Sequence, residues 1–375
     1  MCRYNRITID LNAIRHNYKL MANHVPSSVR VIAVVKANAY GHGMAEVAKT
    51  VIDAGCRDLA IAIPEEGISL RQSGIRRTNI LVLGAINERS IEPSIQANLT
   101  LTVFEPHMVT LIDACAKRLN KTASVHIKVD TGMGRIGIRT KAEAQALQAA
   151  LLSAGHVEVT GIYTHFADAE HYSAEGMMND YTKQQLQLFY LLKSYFDSSI
   201  PAHASNSAMS LVSEDAYFSM IREGISLYGY PPVATSLPFR PALRWEAEIV
   251  YVKDVPKGAK IGYGCTFTAG KPMRIATIAV GYGDGYPRML SNRGQVLISG
   301  RRAPVVGRVC MDQIMVDVSN IPDAKTGDIA VLIGRQKDGS IDADEFAEWA
   351  GTISYEVLLS ITNRVSRIYL PADTI

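Results

Sequence analysis

Several short segments place a basic side chain directly after an apolar run. In "VIAVVKANAYGHG" (31–43) five of the first six residues are apolar, and Lys36 follows them before a turn of small residues. A lysine ending a buried strand is costly unless it is paired, neutralised or covalently engaged. Schiff-base formation is one resolution; snorkelling of the ammonium from the strand end is the other. The small residues of "ANAYGHG" allow close approach to a flat ligand, and Tyr40 offers a hydroxyl to a phosphate. "HIKVDTGMGRIG" (126–137) repeats the arrangement with Lys128 and Arg135, and its glycines at 132 and 134 form a tight loop that can aim Arg135 at an anion or hold a structural arginine. "YTHFA" places His165 at a further strand end, as chemistry or as satisfied structure.

"SNSAMS" (205–210) and "IREGISLYG" (221–229) supply Ser207, Arg222, Gly224 and Ile225. A serine at a helix start and backbone N–H groups beside a glycine make a phosphate cradle. Later, "KIGYGCTFTAG" contains Tyr263 between two glycines, which is equally the composition of a turn. "VVGRVCMDQIMVDVS" contains Met311, and "GTISYEVLLSITNR" contains Tyr355.

These residues need elements to position them. Leu11, Ile14, Tyr18, Met21 and Val25 share one face of a helix in "LNAIRHNYKLMANHV". Short apolar runs follow: "VRVIAVV", "DLAIAI", "NILVLG", "LTLTVF", "SVHIKV" and "VEVTGIYTH", then weaker strands around "PAHAS" and "YFSMIREG". Amphipathic stretches separate them, including "MAEVAKTVIDAG", "KAEAQALQAALLSAG" and "MMNDYTKQQLQLFYLLKSYF". Strands alternating with helices predict a parallel sheet. Eight such units are the content of a closed (β/α)8 barrel, in which strand ends carry the chemistry and the last two loops bind phosphate. A doubly wound sheet is the rival, but "KANAYGHG" lacks the GxGxxG order. The expected organisation is a TIM-type α/β barrel over residues 11–236, then a mainly β C-terminal domain over 237–375 that also takes the strand at 1–10. The proline-rich "PPVATSLPFRP" is the expected join.

A net charge of +3 argues against nucleic acid and anionic membranes as partners, leaving a small-molecule substrate. Cys2, Cys56, Cys115, Cys265 and Cys310 are odd in number and scattered, which suits a reducing cytoplasm and argues against a zinc site. The first twenty residues show no apolar core of a signal peptide, and no run is long enough to span a membrane.

Taken in order, "YNRITIDLNAIRHNY", "AVVKANAYGHG", "HIKVDTGMGRIG", "YTHFA", "SNS", "IREGISLYG", "YGCTFTA", "VGYGDGYPR", "VGRVCMDQIMVDV", "SYEVL" and "NRVSRIY" make the chain resemble the barrel-fold alanine racemases that depend on pyridoxal phosphate. The resemblance implies that Lys36 holds pyridoxal 5'-phosphate covalently and that Tyr40, Ser207, Gly224, Ile225 and Tyr355 bind its phosphate. It implies Arg135 at the cofactor's phenolic oxygen and the substrate carboxylate, Met311 at the substrate, and Arg222 at the pyridine nitrogen. Lys36 and Tyr263 become the two acid/base groups, with His165 and Arg222 as the relay that stabilises the Tyr263 phenolate. Lys128 is the position that relatives often carbamylate. It further implies a homodimer with shared active sites and a supply of D-alanine, a peptidoglycan precursor. Gly283 stands where relatives usually have alanine, and Glu170 where aspartate is usual. A serine or broader-specificity racemase is the alternative within the fold. A barrel decarboxylase would need a carboxylate in place of Arg222, and a non-catalytic cofactor-binding relative would lack the β domain.

Overall fold

The computed structural model describes residues 4–172 and 178–371. The chain forms two compact units. One takes Ile14–Ala39 and Met44–Phe239; the other takes the chain up to Ala13, the turn Tyr40–Gly43 and everything from Arg240 onward.

Strand β1 (Asn5–Asp10) belongs to the second of these. The first unit contains β2 (Arg30–Val34), β3 (Asp58–Ile61), β4 (Asn79–Val82), β5 (Leu101–Val103), β6 (Ala123–Lys128), β7 (Val157–Tyr163), β8 (Ala202–His203) and β9 (Met220–Glu223). All pair in parallel in the order β4-β3-β2-β9-β8-β7-β6-β5. A parallel bridge from Leu81 to Thr100, with Val82 N–H donating to the Thr100 carbonyl at 2.9 Å, joins the two ends of that order. This is the (β/α)8 barrel. Its strands read as near-continuous apolar runs because both faces are covered, as Val31, Ile32, Ala33 and Val34 show by being 5 % exposed or less. β8 is reduced to two residues, and Pro201 before it has no N–H to extend the ladder.

Helices Met44–Asp53, Pro64–Gln72, Glu88–Gln96, Pro106–Arg118, Lys141–Ser153 and Asp180–Lys193 follow β2 to β7 in turn. The opening helix runs Leu11–His24, and the residues of its predicted apolar face, from Leu11 to Met21, are buried. The long helix expected from Met177 begins at Asp180; Met177 lies outside the described residues.

In the second unit a long strand, β10 (Leu243–Val255), pairs antiparallel with β1, Met273–Ile278 and Ile329–Gln336, and β1 also pairs in parallel with Ser366–Leu370. Trp245 anchors this sheet. Its indole is fully buried beside Tyr286, which packs edge-on against Phe346, and its Nε1–H donates to Asn5 Oδ1 at 2.8 Å. Among the described residues no helix is long and apolar enough to cross a membrane, and no cluster of side chains is fit to hold a metal. Cys56, Cys115, Cys265 and Cys310 are free thiols; Cys2 lies outside the described residues.

Truncating Trp245 removes both an aromatic anchor and a buried hydrogen bond. Trp245→Ala is expected to cost about 3–5 kcal/mol. Urea unfolding should show the loss as a lower midpoint at unchanged slope for the transition of this unit.

Candidate active site

Lys36 ends the buried run of β2 and starts an unusual turn. Ala37, Asn38, Ala39 and Tyr40 all have positive φ, between 52° and 53°. L-residues pay for each such position, so a run of non-glycine residues there stores strain of the kind found at functional sites. Glu66, at the start of the helix after β3, secures the turn: its carboxylate accepts from Ala37 N at 2.5 Å and Ala62 N at 2.7 Å. Asn38 Oδ1 accepts from Met44 N at 2.9 Å and closes the loop onto the next helix. Among the described residues the Lys36 amine has no hydrogen bond or ion pair. Burial lowers its pKa, the Arg135 charge lowers it further, Glu66 opposes both, and Arg222 adds to the lowering.

Arg222, on β9, is 3 % exposed. It donates to His203 Nδ1 at 2.8 Å, Ala204 O at 2.8 Å, Thr164 O at 2.9 Å and His165 Nδ1 at 3.1 Å. A guanidinium can only donate, so both imidazoles must accept at Nδ1 and carry their protons on Nε2. His203 Nε2 in turn meets His126 Nδ1 at 3.1 Å. Burial, then the Arg222 charge, pushes His165 and His203 well below the usual histidine range, so both are neutral. Arg222 itself is pulled down to about 10 by burial and stays protonated at neutral pH.

Lys128, at the end of β6, is buried and donates to the Val129 carbonyl at 2.6 Å. Burial, then Arg222, pushes it down to about 7, against the opposing Asp130. Asp130 organises the loop that follows. Its carboxylate accepts from Gly132 N and Gly134 N at 3.0 Å and from Arg135 N at 2.8 Å. Burial raises this carboxyl, but the three backbone donors outweigh it and hold it below the ordinary range. Gly137 (φ +127°) lets the chain turn back, since a Cβ there would sit 2.5 Å from Asp130 N.

Ser207 and Gly224, expected in the last two loops of the barrel, meet in the structure. Ser207 Oγ accepts from Gly224 N at 2.9 Å, and Ile225 opens a short 3-10 turn to Tyr228. Ser226 Oγ is buried there with no hydrogen-bond partner among the described residues.

In the second unit, the Tyr40 and Tyr355 rings lie 6.0 Å apart. A Cβ on Gly41 would fall 2.5 Å from the Leu358 carbonyl, and the Gly41 carbonyl accepts from Arg367 Nε at 2.8 Å. Tyr263 sits on a turn whose flanking Gly262 and Gly264 have φ near +70° (72° and 71°), and it is 71 % exposed. Met311 is 52 % exposed; its carbonyl accepts from Gly283 N at 2.8 Å. A Cβ on Gly283 would lie 2.2 Å from Arg364 Nη1, the movable end of a half-exposed side chain.

The first unit thus brings together Lys36, Lys128, Arg135, His165 and Arg222, and separately Ser207, Gly224 and Ile225. Glu66, Asp130 and His203 position them and escaped sequence reasoning. Glu66 carried one readable signal, an acidic residue two places after a proline that opens a helix.

Residues 9–232 match the model of the alanine racemase N-terminal domain and residues 242–369 that of the C-terminal domain. The alanine racemase of Halothermothrix orenii is 43 % identical over 364 residues, covering 96 % of this chain and 95 % of the relative. The solved alanine racemase of Bacillus anthracis with bound L-Ala-P is 36 % identical, with a TM-score of 0.91 over 100 % of this chain and 97 % of that one. That of Bartonella henselae, with covalently bound pyridoxal phosphate, is 30 % identical, with a TM-score of 0.89 over 99 % and 100 %.

The Asp130 anchor makes a local prediction. Asp130→Ala leaves three loop N–H groups without their acceptor and should cost about 1–3 kcal/mol. Hydrogen exchange should speed up at Gly132, Gly134 and Arg135 and stay unchanged at Arg222. In the unmodified protein the anchor is present above the ordinary carboxylate pKa and is lost only as pH falls through the lowered value.

Proposed function

The chain belongs to the alanine racemase family, and from that premise we propose that it interconverts L- and D-alanine with pyridoxal 5'-phosphate, using Lys36 and Tyr263 as the two proton carriers. The observation that carries this reading is the Lys36 amine, half-buried, unpaired among the described residues and lowered in pKa, in the same unit as the Ser207–Gly224 pair and the unpartnered Ser226 hydroxyl. A half-buried amine among cations fits a covalently held anionic cofactor, and the unpartnered Ser226 hydroxyl fits a phosphate. Lys36 would hold the cofactor; Ser207, Gly224, Ile225, Tyr40 and Tyr355 its phosphate; Arg135 its phenolic oxygen; and Arg222 its pyridine nitrogen. When bound, the cofactor supplies a carbonyl for a primary amine and a ring that draws electrons from the substrate's Cα–H bond.

The chain's own residues do the rest. Racemisation removes a proton from one face of Cα and returns one to the other, so two acid/base groups on opposite faces suffice. Lys36 serves one face, since burial and the Arg135 and Arg222 charges shift it toward the neutral, proton-accepting amine. Tyr263 would serve the other, and Arg222, by fixing the tautomer of neutral His165, leaves its Nε2–H free to donate to a phenolate. Arg222 donates only, so it disfavours a proton on the pyridine nitrogen and weakens the electron sink, which limits transamination. Arg135 and Met311 bind the substrate carboxylate end, and Tyr355 narrows the side-chain space in favour of alanine over serine. Lys128 carries a large neutral fraction at its lowered pKa, and the neutral amine is the form that adds carbon dioxide to give a carbamate and a proton.

The site is shared within a homodimer, the second part of this reading. Tyr263 and Met311 are exposed in the single chain, which suits residues that a partner subunit covers. A reducing cytoplasm, where D-alanine is needed for peptidoglycan, fits the free thiols.

Purified protein loaded with the cofactor is expected to carry L-alanine to an equal mixture of enantiomers. Borohydride reduction and digestion should then leave the pyridoxyl group on the peptide containing Lys36; an adduct on another lysine refutes the assignment.

Sharing is tested by co-expressing Lys36→Ala and Tyr263→Phe chains with different tags. Random pairing gives about half heterodimers, each with one intact site, so roughly one quarter of wild-type sites should return. No activity in purified heterodimers would mean that each site is built within one chain.

A further inference from the structure

Glu223 lies between Arg222 and Gly224 on β9, is fully buried, and takes no part in the histidine network. Ser210 Oγ donates to Glu223 Oε1 at 2.6 Å, while Oε2 has no hydrogen-bond partner among the described residues. The Ser207 hydroxyl interacts with the same carboxyl. That hydroxyl is the one that accepts from Gly224 N at 2.9 Å and, at 3.5 Å, from Ser226 N. Burial pushes the Glu223 carboxyl up to about 7, against the pull of Ser210, Ser207 and Arg222. The charged or titratable groups around it are Arg222 on its own strand and, from the segment after Ser210, Tyr217 with Glu214 close to it. Tyr217 is committed elsewhere, donating to the Ser210 carbonyl at 2.8 Å. On the neighbouring strand β2 the register partner is Ala33.

We propose that Glu223 is a positioning residue that couples phosphate binding at the Ser207–Gly224 cradle to the uptake of one proton from solvent. This rests on the reading that the cofactor's phosphate binds there. Ser207 has a single hydroxyl proton and already accepts from Gly224 N–H. With Glu223 ionised, that proton is drawn to the carboxylate. With Glu223 protonated, the carboxylic acid no longer claims it, and Ser207 turns its O–H to the phosphate. A phosphate dianion beside a buried carboxylate also disfavours the ionised form of Glu223. The balance is simple: the Glu223 carboxylate gains a proton from solvent, and no covalent bond at the cradle forms or breaks. Binding therefore favours the protonated carboxyl, and affinity falls as pH rises above the carboxyl's own pKa.

The test uses the full-length apoprotein, with inorganic phosphate and pyridoxal phosphate as probes. Calorimetry at about pH 8, in two buffers of different ionisation enthalpy, counts protons taken up on binding. The wild type is expected to take up about 0.5–1 proton more than Glu223→Gln. Protons exchanged by the phosphate or by Lys36 cancel in that difference. Above neutral pH the wild-type affinity should fall by up to about tenfold per pH unit relative to Glu223→Gln. Ser210→Ala, which removes a hydrogen bond to the carboxyl, should move the onset of that fall to higher pH and serves if the glutamine variant does not fold. A merely structural carboxyl would alter affinity but not the proton count. Equal uptake in wild type and Glu223→Gln overturns the proposal while leaving the cradle in place. Unchanged affinity for both probes in Ser207→Ala overturns the cradle itself and the proposal with it.

Discussion

Arg222 carries its positive charge inside the barrel on neutral acceptors: two imidazoles and two backbone carbonyls. A buried cation is costly, and hydrogen bonds to polar acceptors are what make it tolerable. Much of the chemistry nearby follows from that arrangement. The guanidinium fixes the tautomers of His165 and His203, because it offers protons and accepts none. Its field adds to burial in lowering Lys36, Lys128 and both histidines. The result is a pair of neutral imidazoles and two amines shifted toward their neutral forms around one permanent cation.

The barrel was readable because its strands are apolar on both faces and its helices on one, so periodicity separates them. Even β8, two residues long, left a trace in "PAHAS". The strand ends were readable for the same reason, and with them Lys36, Lys128, His165 and Arg222. What spacing could not reveal is which residues hold the ends in place. Glu66 and His203 act across the fold, on partners 29 and 19 residues away, whereas Asp130 gathers its own loop from positions 2, 4 and 5 residues on. The left-handed turn after Lys36 was equally hidden. "ANAY" offers no glycine at those four positions, and small residues there read as room for a ligand. The structure gives them another setting: of the four only Asn38 is a residue type that visits positive φ at low cost, so the alanines and Tyr40 are held there by the surrounding fold. The turn Tyr40–Gly43 groups with the second unit, an assignment that no local pattern contains.

Strain and anchoring go together at this site. The turn after Lys36 would relax if left alone, and the Glu66 carboxylate and Asn38 side chain prevent it. The Arg135 loop is held in the same manner, with Asp130 gathering three backbone donors. In each case an acceptor side chain bonds the backbone at or beside a basic residue. Such anchoring sets the direction of a long, flexible side chain without touching its charged end, leaving that end available to a ligand.

Strand β9 shows how closely these demands are packed. Successive residues of a strand face opposite sides, so Arg222 and Glu223 are neighbours in sequence but serve separate networks. Arg222 bonds to residues at the ends of β7 and β8, whereas Glu223 bonds to Ser210 of the short helix Met209–Val212. Gly224 follows with a backbone donor already paired to Ser207. Three consecutive positions thus supply a permanent charge, a titratable carboxyl and an N–H at the strand end. A buried arginine is also a reason for a buried glutamate to lie one residue away, because its field partly offsets the cost of ionising the carboxyl. That offset is incomplete, and Glu223 is left poised between its two protonation states where Arg222 is not. The permanent charge can set tautomers because it does not titrate in the working range; the carboxyl can respond to an arriving anion because it does.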